Sequence, residues 1–443
     1  MALTGLEIFK LLPKTNCKKC GMPTCLAFAM QLAQKKAELD RCPCASQEAR
    51  EILGAAAAPP MRCVKFGRAD NPVNAGQETV LFRHEEKFYS PTVIAVTVSD
   101  SLSASELQER LIAVKALAFE RVGTRIQVDT VAVTNDTGNA ESFAAAARAA
   151  DECGFNIILV TGSAESASAA ADAVSSTPLI CGADTDNYRE MAASAAACKC
   201  PLTAGAVDIE QLADLTEKIK AAGVEDIVLM PDENNLADTM YSLTRLRVLS
   251  LKKAFRPLGY PVISFMTGMD TDRQLTGAIS LISKYAGIVV VDTAEPAAIL
   301  PMLTAVMNIF TDPQKPVQVE SKVYAVGEPD ENSPVMFTTN FSLTYYTVES
   351  DIEASRIASY VLVVDTEGTS VLTAYSGDKL NEKVVADAMK KNDIARTVKH
   401  RKLIIPGYVA VMSGKLEEET GWEVMVGPRE SSMIPKYLKE VWK

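Results

Sequence analysis

Between residues 90 and 311 the chain repeats one pattern: a short apolar run rich in β-branched residues, a polar or glycine-containing turn, then a stretch of helix formers. Such alternation commits a chain to parallel strands, because parallel neighbours cannot be joined by a tight turn and need helical crossovers instead. Eight runs fit a strand, at 93–98, 127–133, 157–160, 179–181, 202–206, 227–230, 262–266 and 288–291. The segments between them, among them 104–122, 141–150 and 209–222, are rich in Ala, Glu, Leu and Lys and read as helices. Eight strand–helix units predict a (β/α)8 TIM barrel, with an open doubly wound sheet as the alternative.

Polar residues follow most of these runs: Ser99-Asp100, Thr134-Asn135-Asp136, Thr161-Gly162, Asp184, residues 231–235, Thr267-Gly268 and Asp292-Thr293. Taken singly, each reads as a cap for the next helix. Taken together they make the carboxyl face of the barrel a docking or ligand surface, without spelling out a catalytic set.

Two proline-containing stretches divide the 443 residues. Pro59 and Pro60 stop a helix that begins near Ser46, and with the alanines at 55–58 they form a stiff connector. Pro313 and Pro316 end the last barrel helix. The expected domains are therefore 1–58, 59–315 (a barrel with an N-terminal linker) and 316–443. In the third, strands at 360–365, 402–405 and 423–426 are each followed by a glycine turn and a helix, the helices near 379–391, 410–419 and 431–442. Three such units predict a doubly wound, Rossmann-like domain with a crevice at the carboxyl ends of its strands. Large planar or nucleotide-bearing ligands use crevices of that kind.

The first domain is too small for a large core, and its cysteines supply a staple. Cys17, Cys20, Cys25 and Cys42 have the spacing C-x2-C-x4-C-x16-C, with Gly21 allowing a turn and Pro43 after the last thiol. Thr24 is placed to cap a helix starting at Cys25, whose positive end would face an anionic cluster. This pattern suits an iron–sulfur cluster. A zinc site normally uses two close pairs, and here only the first pair is close. A disulfide or buried free thiols are the remaining alternatives. Cys44 and Cys63 are spare, while Cys153, Cys181, Cys198 and Cys200 read as ordinary thiols of a reducing, cytoplasmic compartment.

Composition excludes several classes. A formal charge of −11 argues against nucleic-acid partners. The apolar runs are too short to span a membrane, and the first residues lack a secretory pattern. Histidine occurs twice, as His84 and His400, both in charged segments that read as solvated surface. A Ser/His/Asp hydrolase is thus poorly supported, and no G-x-x-x-x-G-K-[ST] loop is present.

The segment Leu12-Pro-Lys-Thr-Asn-Cys-Lys-Lys-Cys-Gly-Met-Pro-Thr-Cys25, followed by Cys42-Pro43, resembles the cluster domain of the large subunit of the corrinoid/iron–sulfur protein family. The archaeal counterpart is the gamma subunit of the acetyl-CoA decarbonylase/synthase complex. The likeness extends to Asp365-Thr-Glu-Gly-Thr-Ser-Val-Leu-Thr-Ala374 and Leu403-Ile-Ile-Pro-Gly-Tyr-Val-Ala410. The three-part order of domains makes the match specific, since related iron–sulfur proteins share the cluster motif. The resemblance implies a [4Fe-4S] cluster on Cys17, Cys20, Cys25 and Cys42. It further implies a corrinoid (a cobalt cobamide) on the third domain, with contacts from Asn340, Tyr346, Ser370, Val371, Leu372, Thr373, Gly407, Gly427, Pro428 and Met433, and Thr373 below cobalt.

The family implies a methyl carrier of the reductive acetyl-CoA pathway, with no catalytic residue of its own. Its cobalt takes a methyl group from methyltetrahydrofolate through a separate methyltransferase and delivers it to acetyl-CoA synthase/CO dehydrogenase. A low-potential electron donor and a small subunit, forming a heterodimer, complete the implied partners. Neither histidine lies in the D-x-H-x-x-G motif by which many corrinoid domains ligate cobalt. A cobalt without a protein nitrogen below it reaches the nucleophilic Co(I) state more easily, and the cluster would restore Co(I) from inactive Co(II). Such transfer requires the domains to move on their proline connectors. Two rival readings remain: a folate-dependent methyltransferase using Asp184, Asp232, Asn234 and Asp292 on the barrel face, and an electron-transfer subunit without corrinoid.

Overall fold

A computed structural model of the chain describes residues 5–33, 37, 39–46, 49, 59–231 and 235–442. The chain divides into two compact units, one of residues up to 119 with 126–310, the other of 120–125 with 311–443. At the N-terminus, α1 (Gly5–Leu11) and α2 (Cys25–Ala33) bury Ile8, Leu12, Phe28 and Ala29 against each other. Thr24 caps α2 as expected, its hydroxyl accepting from the Ala27 N–H at 3.0 Å. The Asn16 side chain accepts from Cys25 N at 2.8 Å, so a second orphan donor of that helix end is satisfied. Most of the helix expected after Ser46, and the connector at 55–58, lie outside the described residues.

An antiparallel hairpin of β1 (Cys63–Gly67) and β2 (Pro72–Gly76) comes next, which the sequence reading did not contain. Then the barrel begins with β3 (Val93–Ser99) and α3 (Ala104–Lys115), the latter closed by a capping box between Ser103 and Glu106. The helix expected over 104–122 stops at Lys115, because β4 (Ala118–Arg121) and β5 (Thr124–Gln127) form a second two-stranded sheet. Between them Val122 and Gly123 adopt φ of 49° and 64°, the left-handed pair that a tight hairpin turn needs and a helix forbids.

The remaining barrel strands are β6 (Thr130–Thr134), β7 (Asn156–Val160), β8 (Leu179–Cys181), β9 (Leu202–Ala206), β10 (Ile227–Pro231), β11 (Ile263–Met266) and β12 (Ile288–Val291). The helices between and after them are α4 (Ala140–Glu152), α5 (Ala164–Ala173), α6 (Tyr188–Cys198), α7 (Ile209–Ala221), α8 (Leu236–Leu251), α9 (Thr271–Ser283) and α10 (Pro296–Ile309). Parallel pairing runs from β10 through β9, β8, β7, β6, β3 and β12 to β11, and one parallel bridge between Leu229 and Val262 closes the ring. The predicted barrel is therefore present.

Strand alternation sorts its residues: Ile94, Val96 and Val98 of β3 face the helices, while Ala95 joins Ala132, Ile158, Leu179, Val228, Ile263 and Val290 inside. Val64, Phe66, Val73 and Ala75 of the first hairpin belong to that same interior cluster, so the hairpin plugs the barrel.

The second unit is a five-stranded sheet. Its elements are β13 (Val323–Val326), β14 (Val335–Thr339), α11 (Ser342–Ser355), β15 (Ser359–Val364), α12 (Val371–Ser376), α13 (Glu382–Lys391), α14 (Ile394–Thr397) and β16 (Lys402–Ile405). A 3₁₀ turn and α15 (Ser413–Thr420), β17 (Glu423–Val426), and a second 3₁₀ turn and α16 (Ile434–Val441) complete it. The order is β13-β15-β14-β16-β17, with β13 antiparallel and the rest parallel.

Phe337, Leu362 and Leu403 pack on one face against α12, α13 and α15, while Met336, Val361 and Ile404 pack on the other against α11 and α16. The strands expected from sequence correspond to β15, β16 and β17; the edge strand β13 and the central strand β14 were not among them. The β14 run Val-Met-Phe-Thr-Thr is buried on both faces and so carries no alternation to betray it.

Candidate functional site

Chain order reverses at β14, since β15 lies on one side of it and β16 on the other. A crevice must open at the carboxyl ends of these strands, where the following segments part in opposite directions. A cavity of about 330 Å³ occupies that place, with Met336, Thr338, Leu343, Thr347, Ile405 and Tyr437 among its walls. Ser370, Val371, Leu372, Gly427 and Pro428 also line it, so five of the ten residues carried over by resemblance meet there. The mouth is apolar: Leu343, Leu372 and Tyr408 are 59%, 47% and 42% exposed. Thr338 is 1% exposed, and its hydroxyl has no partner among the described residues. A buried hydroxyl without a partner costs about 1–3 kcal/mol, a debt that a bound ligand can remove.

Asn340 does not line the cavity. It holds the loop that does. Its Oδ1 accepts from the Thr366 and Gly368 N–H groups at 3.0 and 2.9 Å and from the Thr366 hydroxyl at 3.2 Å. Its Nδ2 donates to Gln318 Oε1 and Asp365 Oδ1 at 3.1 and 3.0 Å, which commits the whole amide. The turn 365–370 is thereby fixed, with Glu367 and Gly368 at φ of 55° and 72°, and Ser370-Val371-Leu372 emerges from it onto the rim.

Gly407 has a similar indirect place. Its N–H donates to Pro428 O at 3.0 Å, and a Cβ there would lie 2.6 Å from Gly427 O, so the turns after β16 and β17 close together only around a glycine. Thr373 is exposed on α12 with its hydroxyl 3.1 Å from Ser370 Oγ. Tyr346 stacks edge-on against Tyr345, and Met433 is exposed ahead of α16. Leu343, Thr347, Tyr408 and Tyr437 escaped the sequence reading; the apolar run 335–339 ending in two threonines was the available signal for this edge.

In the first unit, Cys25 and Cys42 are buried in the small N-terminal core, Cys20 is half-buried and Cys17 is exposed. The backbone N–H of Lys19, and then the Thr15 side chain, hold the Cys17 thiol below its usual range, which favours the thiolate a metal needs. Cys17 Sγ lies 3.9 Å from Cys44 Sγ, a contact that pushes the Cys44 thiol up. Among the described residues no three His, Cys, Asp or Glu side chains are grouped to share a single metal ion.

The polar groups on the barrel face mostly satisfy one another. Asp100 accepts from the N–H groups of Asp136 and Thr137 at 2.8 and 3.0 Å. Asp184 accepts from Asp186 and Asn187, and Asp292 from Gly268 at 2.7 Å. Asp232 and Asn234 lie outside the described residues. His84 is exposed and stacks on Phe82. His400 departs from the surface reading: it is half-buried, 2.8 Å from Ser333 O and edge-on to Trp442. Its Nδ1 accepts from Lys402 N, so the ring is a strut between the segment before β14 and β16. Among the described residues no helix is long and apolar enough to cross a membrane.

Comparison with known proteins gives concordant matches. A family model described as "CO dehydrogenase/acetyl-CoA synthase delta subunit" matches residues 63–438, and one described as "Putative Fe-S cluster" matches residues 12–44. The chain is 45% identical to the corrinoid/iron-sulfur protein large subunit of Moorella thermoacetica, over 99% of both chains. It is 38% identical to the acetyl-CoA decarbonylase/synthase complex subunit gamma of Methanothermobacter thermautotrophicus, over 100% of this chain and 99% of that one. Among solved structures, dihydropteroate synthase from Thermus thermophilus aligns with 54% of this chain and 97% of its own at a TM-score of 0.40 and 13% identity, too distant to carry an inference. The full-length matches establish that the chain belongs to the family of corrinoid/iron–sulfur protein large subunits, the gamma subunits of archaeal acetyl-CoA decarbonylase/synthase complexes.

Proposed function

We propose that this chain is a methyl carrier of the acetyl-CoA pathway, holding a corrinoid at the carboxyl edge of its second sheet and a [4Fe-4S] cluster on its N-terminal cysteines. The observation that carries the corrinoid assignment is the cavity at the β14 switch point, with the orphaned Thr338 hydroxyl in its wall. The residues fit such a group: an apolar mouth suits a large planar macrocycle, and a slot with one polar atom suits an appended group. When bound, the corrinoid supplies a cobalt able to accept a methyl group and give it up.

The chain's own part is geometric. Leu343, Leu372 and Tyr408 offer apolar surface to the macrocycle and exclude water from its contact face. The rim Ser370-Val371-Leu372, fixed through Asn340, would hold the ligand in register, and Thr373, exposed beside it, would offer its hydroxyl to the bound group. Among the described residues neither histidine lines the cavity. Cys17, Cys20, Cys25 and Cys42 would hold the cluster, which would supply a low-potential electron for reductive reactivation. A small subunit, a methyltetrahydrofolate methyltransferase, acetyl-CoA synthase and a low-potential electron donor are the partners this role requires.

Protein purified without oxygen tests the reading. Stoichiometric cobalt and corrinoid absorption bands beside a broad iron–sulfur band are expected, with methyl transfer from methyltetrahydrofolate appearing when a methyltransferase is added. Fully loaded native protein without corrinoid bands would refute the carrier role. Turnover without added methyltransferase would move the chemistry to the barrel face.

A further inference from the structure

Four cysteines suffice for the cluster, yet the N-terminal segment holds a fifth. Cys44 follows Cys42-Pro43, and its sulfur faces Cys17 at 3.9 Å, van der Waals contact for two sulfurs. Cys17 differs from the rest of the set in access. Cys25 and Cys42 are 6% and 3% exposed within the core of α1 and α2 and Cys20 and Cys44 are half-buried, whereas Cys17 is exposed. A small oxidant therefore reaches Cys17 first. The next thiol in line, by the geometry, is Cys44.

We infer that Cys44 is a resolving thiol: when the cluster is lost, Cys17 and Cys44 join in a disulfide that keeps Cys17 from irreversible oxidation. The inference rests on Cys17 being a cluster ligand, because bound iron would keep its thiolate occupied and the pair apart. The oxidant is a low-molecular-weight disulfide. The Cys17 thiolate attacks it, forming a mixed disulfide and expelling one small thiolate. The Cys44 thiolate then attacks the Cys17 sulfur, forming the internal bond and expelling the second. Two protein thiols are oxidised, the external disulfide is reduced to two thiols, and the protons lost by the protein pass to the expelled thiolates. A reactive, accessible cysteine beside a resolving partner is the usual arrangement of reversible thiol protection. Reduction regenerates both thiols and with them the ligand set.

The test uses the full-length chain without oxygen, its iron removed by a chelator, exposed to oxidised glutathione, then alkylated and digested for mass spectrometry without reductant. The expected product is a Cys17–Cys44 cross-linked peptide accounting for most of the recovered Cys17, absent from iron-loaded protein. In the variant Cys44→Ser, Cys17 should instead retain glutathione, while iron content before chelation equals that of the unsubstituted protein. A cross-link from Cys17 to Cys20, Cys25 or Cys42, or glutathione persisting on Cys17 with Cys44 present, would overturn the inference. So would loss of iron in Cys44→Ser, which would make Cys44 a ligand. Unsubstituted protein that binds no iron at all fails the cluster assignment instead, and the two failures are read separately.

Discussion

Replacing Asn340 with Ala should destabilise the second unit without touching the cavity wall. The side chain is 2% exposed, so water does not substitute for it readily. The substitution strands the Thr366 and Gly368 N–H groups, which have Oδ1 as their acceptor at 3.0 and 2.9 Å. The Thr366 hydroxyl is spared, since it also reaches Thr369 O at 3.0 Å, and Asp365 keeps the Glu367 N–H. Two stranded buried donors at about 1–3 kcal/mol each give a loss of about 2–6 kcal/mol. With a urea dependence of about 1–3 kcal/mol per molar, a loss of about 3 kcal/mol moves the midpoint by about 1–3 M.

Both tryptophans, Trp422 and Trp442, belong to this unit, so their fluorescence reports its unfolding selectively. Hydrogen exchange at Thr366 and Gly368 should accelerate in parallel. Asn340→Asp keeps the acceptor but sets a carboxylate against Asp365 Oδ1, 3.0 Å from the present amide nitrogen. That variant should be destabilised at neutral pH and recover as acid protonates the pair. A midpoint for Asn340→Ala within about 0.3 M of the unsubstituted protein, equivalent to under about 1 kcal/mol, would refute the assignment of Asn340 as the clamp of this loop.

Two further outcomes follow from buried charges in the first unit. Arg247 and Glu78 form an ion pair at 3.3 Å with side chains 4% and 7% exposed, and Arg247 also donates to Val80 O and lies over the rings of Phe88 and Tyr285. Burial pushes the guanidinium pKa down while Glu78 opposes the shift, so Arg247→Met should leave the buried Glu78 carboxylate, which also accepts from the Tyr89 and Ser90 N–H groups, without its cation and cost about 3–5 kcal/mol. Adding Glu78→Gln should recover part of that loss in a double-mutant cycle; strict additivity in denaturation would refute the pairing.

Asp151 receives the Ser175 N–H and hydroxyl and the Ser176 hydroxyl. Burial works against its charge, but these donors prevail and hold its pKa below the ordinary 3.8. Because the folded value is depressed, the stabilisation is present above the unfolded pKa and is lost as pH falls through the folded one. Asp151→Asn should therefore lower stability at neutral pH, with the gap to the unsubstituted protein closing below about pH 3.8 in acid titration of the thermal midpoint.

The barrel was legible in the sequence because each strand is a short apolar run beside a helical stretch, and local pattern dictates such elements. Thr24 and Gly21 marked the first turn of the cysteine segment for equally local reasons, capping and backbone freedom. The helix expected over 104–122 failed where the left-handed pair Val122-Gly123 overrode the propensity of Ala116–Glu120. At the cavity, sequence named the glycine turns and the Ser370 rim, yet it missed β14, the strand that creates the crevice. Buried on both faces, Val335–Thr339 has no periodicity; its place between β15 and β16 comes from long-range pairing.

The chain by itself determined the element types, the thiol spacing and the near absence of histidine, all of which are local. Tertiary structure alone decided that the Thr338 hydroxyl is left without a partner among the described residues, that Asn340 clamps a loop 26 residues away at Thr366, and that Cys44 stands against Cys17. Those facts depend on which atoms exclude water from which others, a property that exists only once distant segments have packed.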